Sequence, residues 1–290
     1  MPPEFDPNLL KLLHQPQEHD AKSTNGQLTI IAGSDLFHGP ALFSLIIATH
    51  IVDMVFFTSP THEFEHTAHS LKSRLGSFIW VPFEEVDAYI TKSDAVLIGP
   101  GLKRFHSEFQ HPDHDTLDHI GEITQQITLD LTSKFPNKQW IIDAGSLQVI
   151  KAQDIPPNAI ITPNSKEFQI LFNTILPQDL EQKTQVLQSI SQTYQTHIVA
   201  KGDPTLVVSP NGQSTLDHGT NRGFSKGGTG DCLASLIASL ACKNPAHLSA
   251  IASVFISKAA ANDLSQSYGP FFNADDLATQ IPRTLARLLK

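Results

Sequence analysis

Lys226-Gly227-Gly228-Thr229-Gly230-Asp231, followed by the apolar run Cys232-Leu233-Ala234-Ser235-Leu236-Ile237-Ala238-Ser239-Leu240, is the stretch on which the reading of this chain turns. Its three glycines permit a tight turn and leave backbone N–H groups uncovered. The spacing that follows predicts a helix over residues 232–242. The positive end of that helix points back at the turn, so the two together make an anion hole suited to a phosphoryl group. Asp231 would stand at the rim of the hole. A carboxylate there takes a proton from a substrate hydroxyl while the N–H groups stabilise the transferring phosphoryl. The same residues also suit a plain glycine-rich turn with Asp231 as the helix N-cap, and the stretch alone does not choose between the two.

Upstream, short apolar runs recur at residues 28–32, 54–58, 78–81, 95–98, 140–142, 160–162 and 198–200. Each is bounded by turn residues, as buried parallel strands are. Helical spacing occupies residues 165–172 and 180–195 and, beyond Asp231, residues 246–266 and 275–289. Residues 205–209 and 214–217, separated by Pro210-Asn211-Gly212, read as an antiparallel hairpin. The alternation predicts an α/β fold with a mostly parallel central sheet, helices on both faces and a small antiparallel hairpin. Residues 27–290 read as one domain. Residues 1–26 read as an extension whose Leu9, Leu10, Leu12 and Leu13 suggest a short turn docking on it. Ligands of such sheets gather beyond the carboxyl ends of the strands. Those ends carry Gly33-Ser34-Asp35, Gly99-Pro100-Gly101, Asp143-Ala144-Gly145, Thr162-Pro163-Asn164 and Lys201-Gly202, which point to one ligand-lined edge.

In the 290 residues, 29 acids against 20 bases give a formal net charge of −9, so a broad positive field for nucleic acid is excluded. An anionic small molecule remains accessible, because backbone N–H groups bind phosphate locally. Cys232 and Cys242 are too far apart along one helix to pair and read as buried apolar residues. No basic segment followed by an apolar core opens the chain, and the apolar stretch over residues 41–57 is interrupted by His50 and Asp53. No membrane element is therefore expected, and the cytoplasm is the expected compartment. His62, His66 and His69 lie beside Glu63 and Glu65, and His106, His111, His114 and His119 crowd around Asp113 and Asp115. Neither group closes a recognised metal-ligand spacing, so both read as solvated surface.

Residues 223–236 resemble the signature of the ribokinase-like superfamily. Residues 22–288 resemble, more narrowly, the ADP/ATP-dependent NAD(P)H-hydrate dehydratase family. The landmarks run in its order: Ala32-Gly33-Ser34 with Gly39, Ile98-Gly99-Pro100-Gly101, Asp143-Ala144-Gly145, Thr162-Pro163 with Glu167, Lys201-Gly202 with Thr205, and Lys226 to Asp231. Asp275-Asp276-Leu277 and Ile281-Pro282 also fit. The resemblance implies a ribokinase-like fold. It also implies a lyase that spends ADP or ATP, with Mg2+, to phosphorylate the hydroxyl of hydrated NADH or NADPH, after which phosphate leaves. It implies Asp231 as catalytic base, and Gly39, Pro40, Gly101, Asn164 and Asp231 around the hydrated nicotinamide. The nucleotide would be held by Lys201, Gly202, Asp203, Pro204 and Thr205 with Gly228, Thr229 and Gly230. Lys226 would add a second cation, and Glu167 would bear indirectly on the metal. A homo-oligomer is expected, and a fused epimerase is not expected on this chain.

The chain departs from the family pattern at several points. Gly39-Pro40 replaces Gly-Ala, Asn164 replaces a histidine, and Lys166, Val52 and Met54 replace glycines. Lys22-Ser23 replaces a Lys-Gly pair, and together these mark a diverged member. Asn164 and Glu167 also recreate an Asn-x-x-Glu element used by ribokinase-like kinases around magnesium and phosphate. This leaves open a small-molecule kinase acting on a vitamin-precursor alcohol, or a catalytically impaired nucleotide-binding homologue. Asn164 and Glu167 equally suit a helix capping box, and Lys201 to Pro204 equally suit a tight connection between strands.

Overall fold

Each upstream apolar run forms a strand: β1 (Gln27–Ile31), β2 (Met54–Thr58), β3 (Ile79–Trp80), β4 (Ala95–Ile98), β5 (Gln139–Ile142), β6 (Ile160–Ile161) and β7 (His197–Ala200). The hairpin follows as β8 (Thr205–Val208) and β9 (Ser214–Asp217). The computed structural model describes residues 1–62, 64–106 and 117–290. Among these the strands form one sheet in the order β3-β2-β1-β4-β5-β6-β7-β8-β9. Neighbours from β3 to β7 pair in parallel, and β8 and β9 run antiparallel. The chain winds outward in one direction from β1 and in the other from β4. The crevice between the carboxyl ends of those two strands is the switch point at which such sheets bind ligands.

The helices are α1 (Gly39–Ala48), α2 (Phe64–Leu71), α3 (Val86–Lys92), α4 (His119–Lys134), α5 (Ala144–Val149), α6 (Ser165–Phe172), α7 (Leu180–Tyr194), α8 (Thr229–Ala241), α9 (Ala246–Tyr268) and α10 (Ala274–Leu288). Strand side chains alternate between the two faces. Leu97, Ile141, Ile160 and Val199 bury against α1, α8, α9 and α10. Ile98, Ile142, Ile161 and Ala200 bury with residues of α3 to α7. Continued one residue past the strand ends, the alternation turns Asp143 and Lys201 towards the layer that contains α8.

Sequence periodicity did not reveal α1. Ala41, Phe43, Leu45, Ile47 and Ala48 are all buried, because the helix packs against the sheet, α8 and α10 and has little polar face to mark its period. At the other end of the sheet, Phe5, Leu10 and Leu13 are buried in the same cluster as α9. Phe5 N–H donates to Leu216 O at 2.9 Å, and Leu216 N–H donates to Pro3 O at 3.0 Å. The amino-terminal segment thus docks along β9, whose edge would otherwise present unpaired backbone groups. Cys232 and Cys242 are free and buried. No described helix is long and apolar enough to cross a membrane.

A buried polar chain ties the hairpin to α9. Ser209 Oγ lies 3.1 Å from His197 Nδ1 and 2.6 Å from His247 Nδ1, and Thr215 Oγ1 lies 2.9 Å from His247 Nε2. Burial pushes both imidazoles down from 6.5 to about 4, with His197 adding to the effect on His247. The unfolded chain therefore binds more protons between those values, and the network's stabilisation is lost as pH falls from about 6.5 towards 4. Denaturation of wild type and His247→Gln should show a stability difference that narrows over this window. A difference independent of pH would contradict the neutral, buried assignment.

Candidate active site

Lys201 follows β7 and Asp143 follows β5, with β6 between them, so their backbones stand about 10 Å apart. The long lysine arm crosses that gap, and Nζ donates to Asp143 Oδ1 at 2.9 Å. Asp143 is the N-cap of α5, yet its side chain makes no capping bond, which leaves the carboxylate for Lys201. Nζ also lies 3.9 Å from Glu167 Oε2. Glu167 is fixed by Gln148 Nε2 on Oε1 (2.9 Å) and Asn164 N–H on Oε2 (2.8 Å). The side chains of Asp143 and Glu167 are only 2% and 8% exposed. Burial works against the Lys201 charge, but Asp143, Glu167 and Asp231 outweigh it and raise its pKa.

Asp231 completes the group. The helix α8 starts at Thr229, three residues earlier than its spacing suggested, and Gly228 is the N-cap. Asp231 is therefore the third helical residue rather than a cap. One ammonium among three carboxylates leaves the last of them poorly compensated. Burial first, and then repulsion from Asp143, push the Asp231 carboxyl up to about 7 against the pull of Lys201. Gly228 adopts φ +93°, and a Cβ there would lie 2.5 Å from the Phe43 ring and 2.8 Å from Ala274 Cβ. A Cβ on Gly230 would lie 3.2 Å from Lys201 Nζ. These two glycines let the helix start come down onto the lysine.

Beside the group opens a cavity of about 290 Å3. Of the eight residues assigned to the nucleotide, Lys201, Gly202, Asp203, Thr205, Thr229 and Gly230 line it; Pro204 and Gly228 do not. Residues 201–204 are also the connection from β7 to β8. Asp203 Oδ1 accepts from Gly219 N–H at 3.2 Å, and Thr205 Oγ1 donates to Gly202 O at 2.8 Å. Lys226 is a correction to the sequence reading. Its ammonium donates to the carbonyls of Pro270 and Phe272 and so anchors the loop ahead of the turn.

Of the residues expected around the substrate, Gly39, Pro40 and Gly101 gather at the switch point. Gly33 N–H donates to Pro100 O at 2.8 Å, and a Cβ on Gly101 would lie 3.2 Å from both Gly33 Cα and Pro40 Cβ. Gly39 opens α1 next to Pro40. The two halves of the site are joined through hydroxyls. Ser235 Oγ lies 2.6 Å from Asp231 O and 2.7 Å from Ser44 Oγ, and Ser44 Oγ donates to Pro40 O at 2.8 Å. Asn164 is not part of the switch-point group. Its side chain accepts from Lys166 N–H and Glu167 N–H and caps α6 in a capping box, beside Lys201.

Half of the departures from the family pattern stand away from this edge, and Pro40, Asn164 and Lys166 stand at it. Val52 and Met54 stand at the start of β2, and Lys22-Ser23 precedes β1, all at the opposite end of the strands. Pro40 lies in the first turn of α1, where a missing N–H costs no helical hydrogen bond. Among the described residues no group of three or more His, Cys, Asp or Glu could hold a metal ion. Glu63, His111, Asp113, His114 and Asp115 lie outside the described residues. Two features escaped sequence reasoning. Asp143 was legible only as one of five strand-end turns, and the cavity walls from residues 219–224 and α9 carried no motif.

The family described as NAD(P)H-hydrate dehydratase matches residues 28–283. The bifunctional NAD(P)H-hydrate repair enzyme of Methanocaldococcus jannaschii is 28% identical over 282 residues, covering 95% of this chain and 51% of that protein. The ADP-dependent (S)-NAD(P)H-hydrate dehydratase of Cenarchaeum symbiosum is 25% identical over 280 residues, covering 91% of this chain and 90% of that one. The chain thus spans about half the length of the bifunctional relative. The ADP/ATP-dependent NAD(P)H-hydrate dehydratase of Bacillus subtilis, crystallised with ATP and Mg2+, superposes with a TM-score of 0.77 at 22% identity. That match covers 99% of this chain and 98% of that one. The fold is the ribokinase-like one expected from the sequence.

Replacing Lys201 by Met removes the cation from three carboxylates. Breaking such a buried group should destabilise the protein by about 3–5 kcal/mol in urea unfolding at pH 7.5, with part of the loss recovered at pH 5, where Asp231 is protonated. Unchanged stability at pH 7.5 would show that Lys201 does not organise the site.

Proposed function

The chain belongs to the NAD(P)H-hydrate dehydratase family, and on that premise we propose that it uses ADP or ATP to restore hydrated NADH or NADPH. The observation that carries this reading is the Asp231 carboxyl, held near neutrality beside the Gly228–Gly230 helix start and facing Lys201. The nucleotide lies along Lys201 to Thr205, with its transferring phosphoryl at the N–H groups of the α8 start. The hydrated nicotinamide enters from the switch point, between Gly39, Pro40 and Gly101.

Asp231 takes the proton of the ring hydroxyl as its oxygen bonds to phosphorus and the nucleotide's phosphoryl bond breaks. Phosphate then departs with the C–O electrons, and loss of a neighbouring ring proton restores the double bond. Conversion of hydroxide into phosphate makes the leaving group a good one. A carboxyl poised near 7 is matched to this exchange, since it is a base at the operating pH and can give the proton back. Lys201 offsets charge on the phosphates and keeps Asp143 and Glu167 from suppressing ionisation of Asp231 altogether.

Magnesium fits here as a cation that arrives with the nucleotide. Asp143 and Glu167 already surround an ammonium, which leaves no all-protein cage; Mg2+ is commonly held by one or two carboxylates plus substrate phosphates. Glu167 would bear on that ion only indirectly, and the ion would neutralise phosphoryl charge. The kinase alternative loses its support, because Asn164 and Glu167 are accounted for by the α6 capping box. Of the replacements behind the impaired-homologue alternative, Val52 and Met54 lie at the opposite ends of the strands, and Pro40 takes the first turn of α1 without losing a helical hydrogen bond.

Purified protein with magnesium, ADP or ATP and hydrated NADH should return the reduced-nicotinamide absorbance. Folded protein that returns none with either nucleotide would contradict the proposal. Asp231→Asn should lower kcat by at least about 100-fold, the usual share of a general base. It should also raise thermal stability, and more at pH 8 than at pH 5, because the wild-type charge is buried at a cost once ionised. For the wild type, kcat/KM should fall about tenfold per pH unit below an apparent pKa near 7. A profile flat down to pH 5 would remove Asp231 from the role of base.

A further inference from the structure

Two loops flank the switch point, and they are held very differently. The one after β4 is fixed along its length. Leu102 N–H donates to Gly99 O at 2.9 Å, Thr124 Oγ1 to Lys103 O at 2.6 Å, and His106 N–H to Asp118 Oδ2 at 2.6 Å. Two glycines of neighbouring helices pack directly on it: a Cβ on Gly145 would lie 2.0 Å from Leu102 O, and one on Gly121 2.2 Å from Arg104 O.

The loop after β1 contains a turn, residues 34–37, that is closed on itself. Ser34 N–H donates to Phe37 O at 3.3 Å, and Phe37 N–H donates to Ser34 Oγ at 3.2 Å. Asp35, Leu36 and Phe37 are exposed. Among the described residues, the side-chain hydrogen bonds that tie this turn to another segment are the two made by Lys103. Its ammonium donates to Asp35 Oδ1 and Oδ2, both at 3.1 Å. The pair is asymmetric, since the Lys103 side chain is 9% exposed and that of Asp35 is 54% exposed. The fixed loop therefore supplies a sheltered cation, screened less by water than a surface lysine, and the carboxylate reaches in from the turn. Phe37 O stands over Gly101, where a Cβ would lie 2.9 Å away. Seating of the turn thus sets the width of the slot beside Gly101.

We propose that Lys103 is a positioning residue: through Asp35 it holds the 34–37 turn down on the β4–α4 loop and so shapes the slot between Gly39, Pro40 and Gly101 for the hydrated nicotinamide. This rests on the reading that the slot takes that substrate. Without the pair the turn is seated for only a fraction of the time, and apparent substrate affinity falls by that fraction. Turnover is preserved, because bound substrate has already selected the seated turn.

The test is steady-state kinetics of Lys103→Met, Asp35→Asn and the double variant, with amide hydrogen exchange on the same ligand-free proteins. Met keeps the buried stem and leaves Asp35 half-exposed to water, so the melting temperature of Lys103→Met should change little. Each single variant should raise KM for hydrated NADH about tenfold, as for a turn seated about a tenth of the time, with kcat and KM for ADP within about twofold of wild type. The double variant should be no worse than either single one, because both remove the same link. Exchange should quicken over residues 34–38 and stay unchanged over residues 101–105. An unchanged KM for hydrated NADH in Lys103→Met, or unchanged exchange over residues 34–38, overturns this inference alone. So does a KM that rises in Lys103→Met yet holds or falls in Asp35→Asn, since the ammonium would then meet the substrate's diphosphate directly. Wild-type protein that restores no hydrated NADH with either nucleotide overturns the substrate reading, and the positioning role with it.

Discussion

One ammonium group, Lys201 Nζ, sets the charge balance on which the rest of the site depends. It lies 2.9 Å from one buried carboxylate and 3.9 Å from a second, and Asp231 is the third carboxylate that acts on it. The third is then left to ionise against like charge in a poorly solvated place, which holds it near neutrality. Asp231 is thus made a usable base by its neighbours rather than by its own helix. A carboxylate at the third position of an exposed helix would ordinarily sit well below pH 5.

That balance dictates the packing around it. The lysine must cross an intervening strand, and the connecting β6 spans only Ile160–Ile161. The start of α8 comes close to Nζ, with room for little more than glycine at 230, and its entry between Phe43 and Ala274 requires glycine at 228. Serines 44 and 235 then lock α1 against α8, so that the switch-point residues and the base move as one piece. Small side chains are needed in these helices because the backbones come close. The same density of Ala, Ser and apolar residues hid the period of α1 from the sequence.

The sheet was legible because a parallel strand buried on both faces leaves a dense apolar run between turn residues, as residues 54–58 and 95–98 do. The glycine turn and Asp231 were legible because anion holes require glycine. Asp143 was not, since its role depends on a lysine 58 residues away reaching over β6. Lys226 misled for the converse reason: a lysine beside a glycine turn looks like a phosphate ligand, but only the fold reveals the carbonyls of Pro270 and Phe272 that occupy it.

The central claim is that burial first, with Asp143 and Glu167 pushing up and Lys201 pulling down, holds Asp231 poised near neutrality. The most direct measurement is a carbon-detected NMR titration of side-chain carboxyls in the intact protein, with Asp231 assigned by comparison with Asp231→Asn. The account predicts an Asp231 midpoint near 7. A midpoint near 4, that of an unperturbed aspartate, would contradict it.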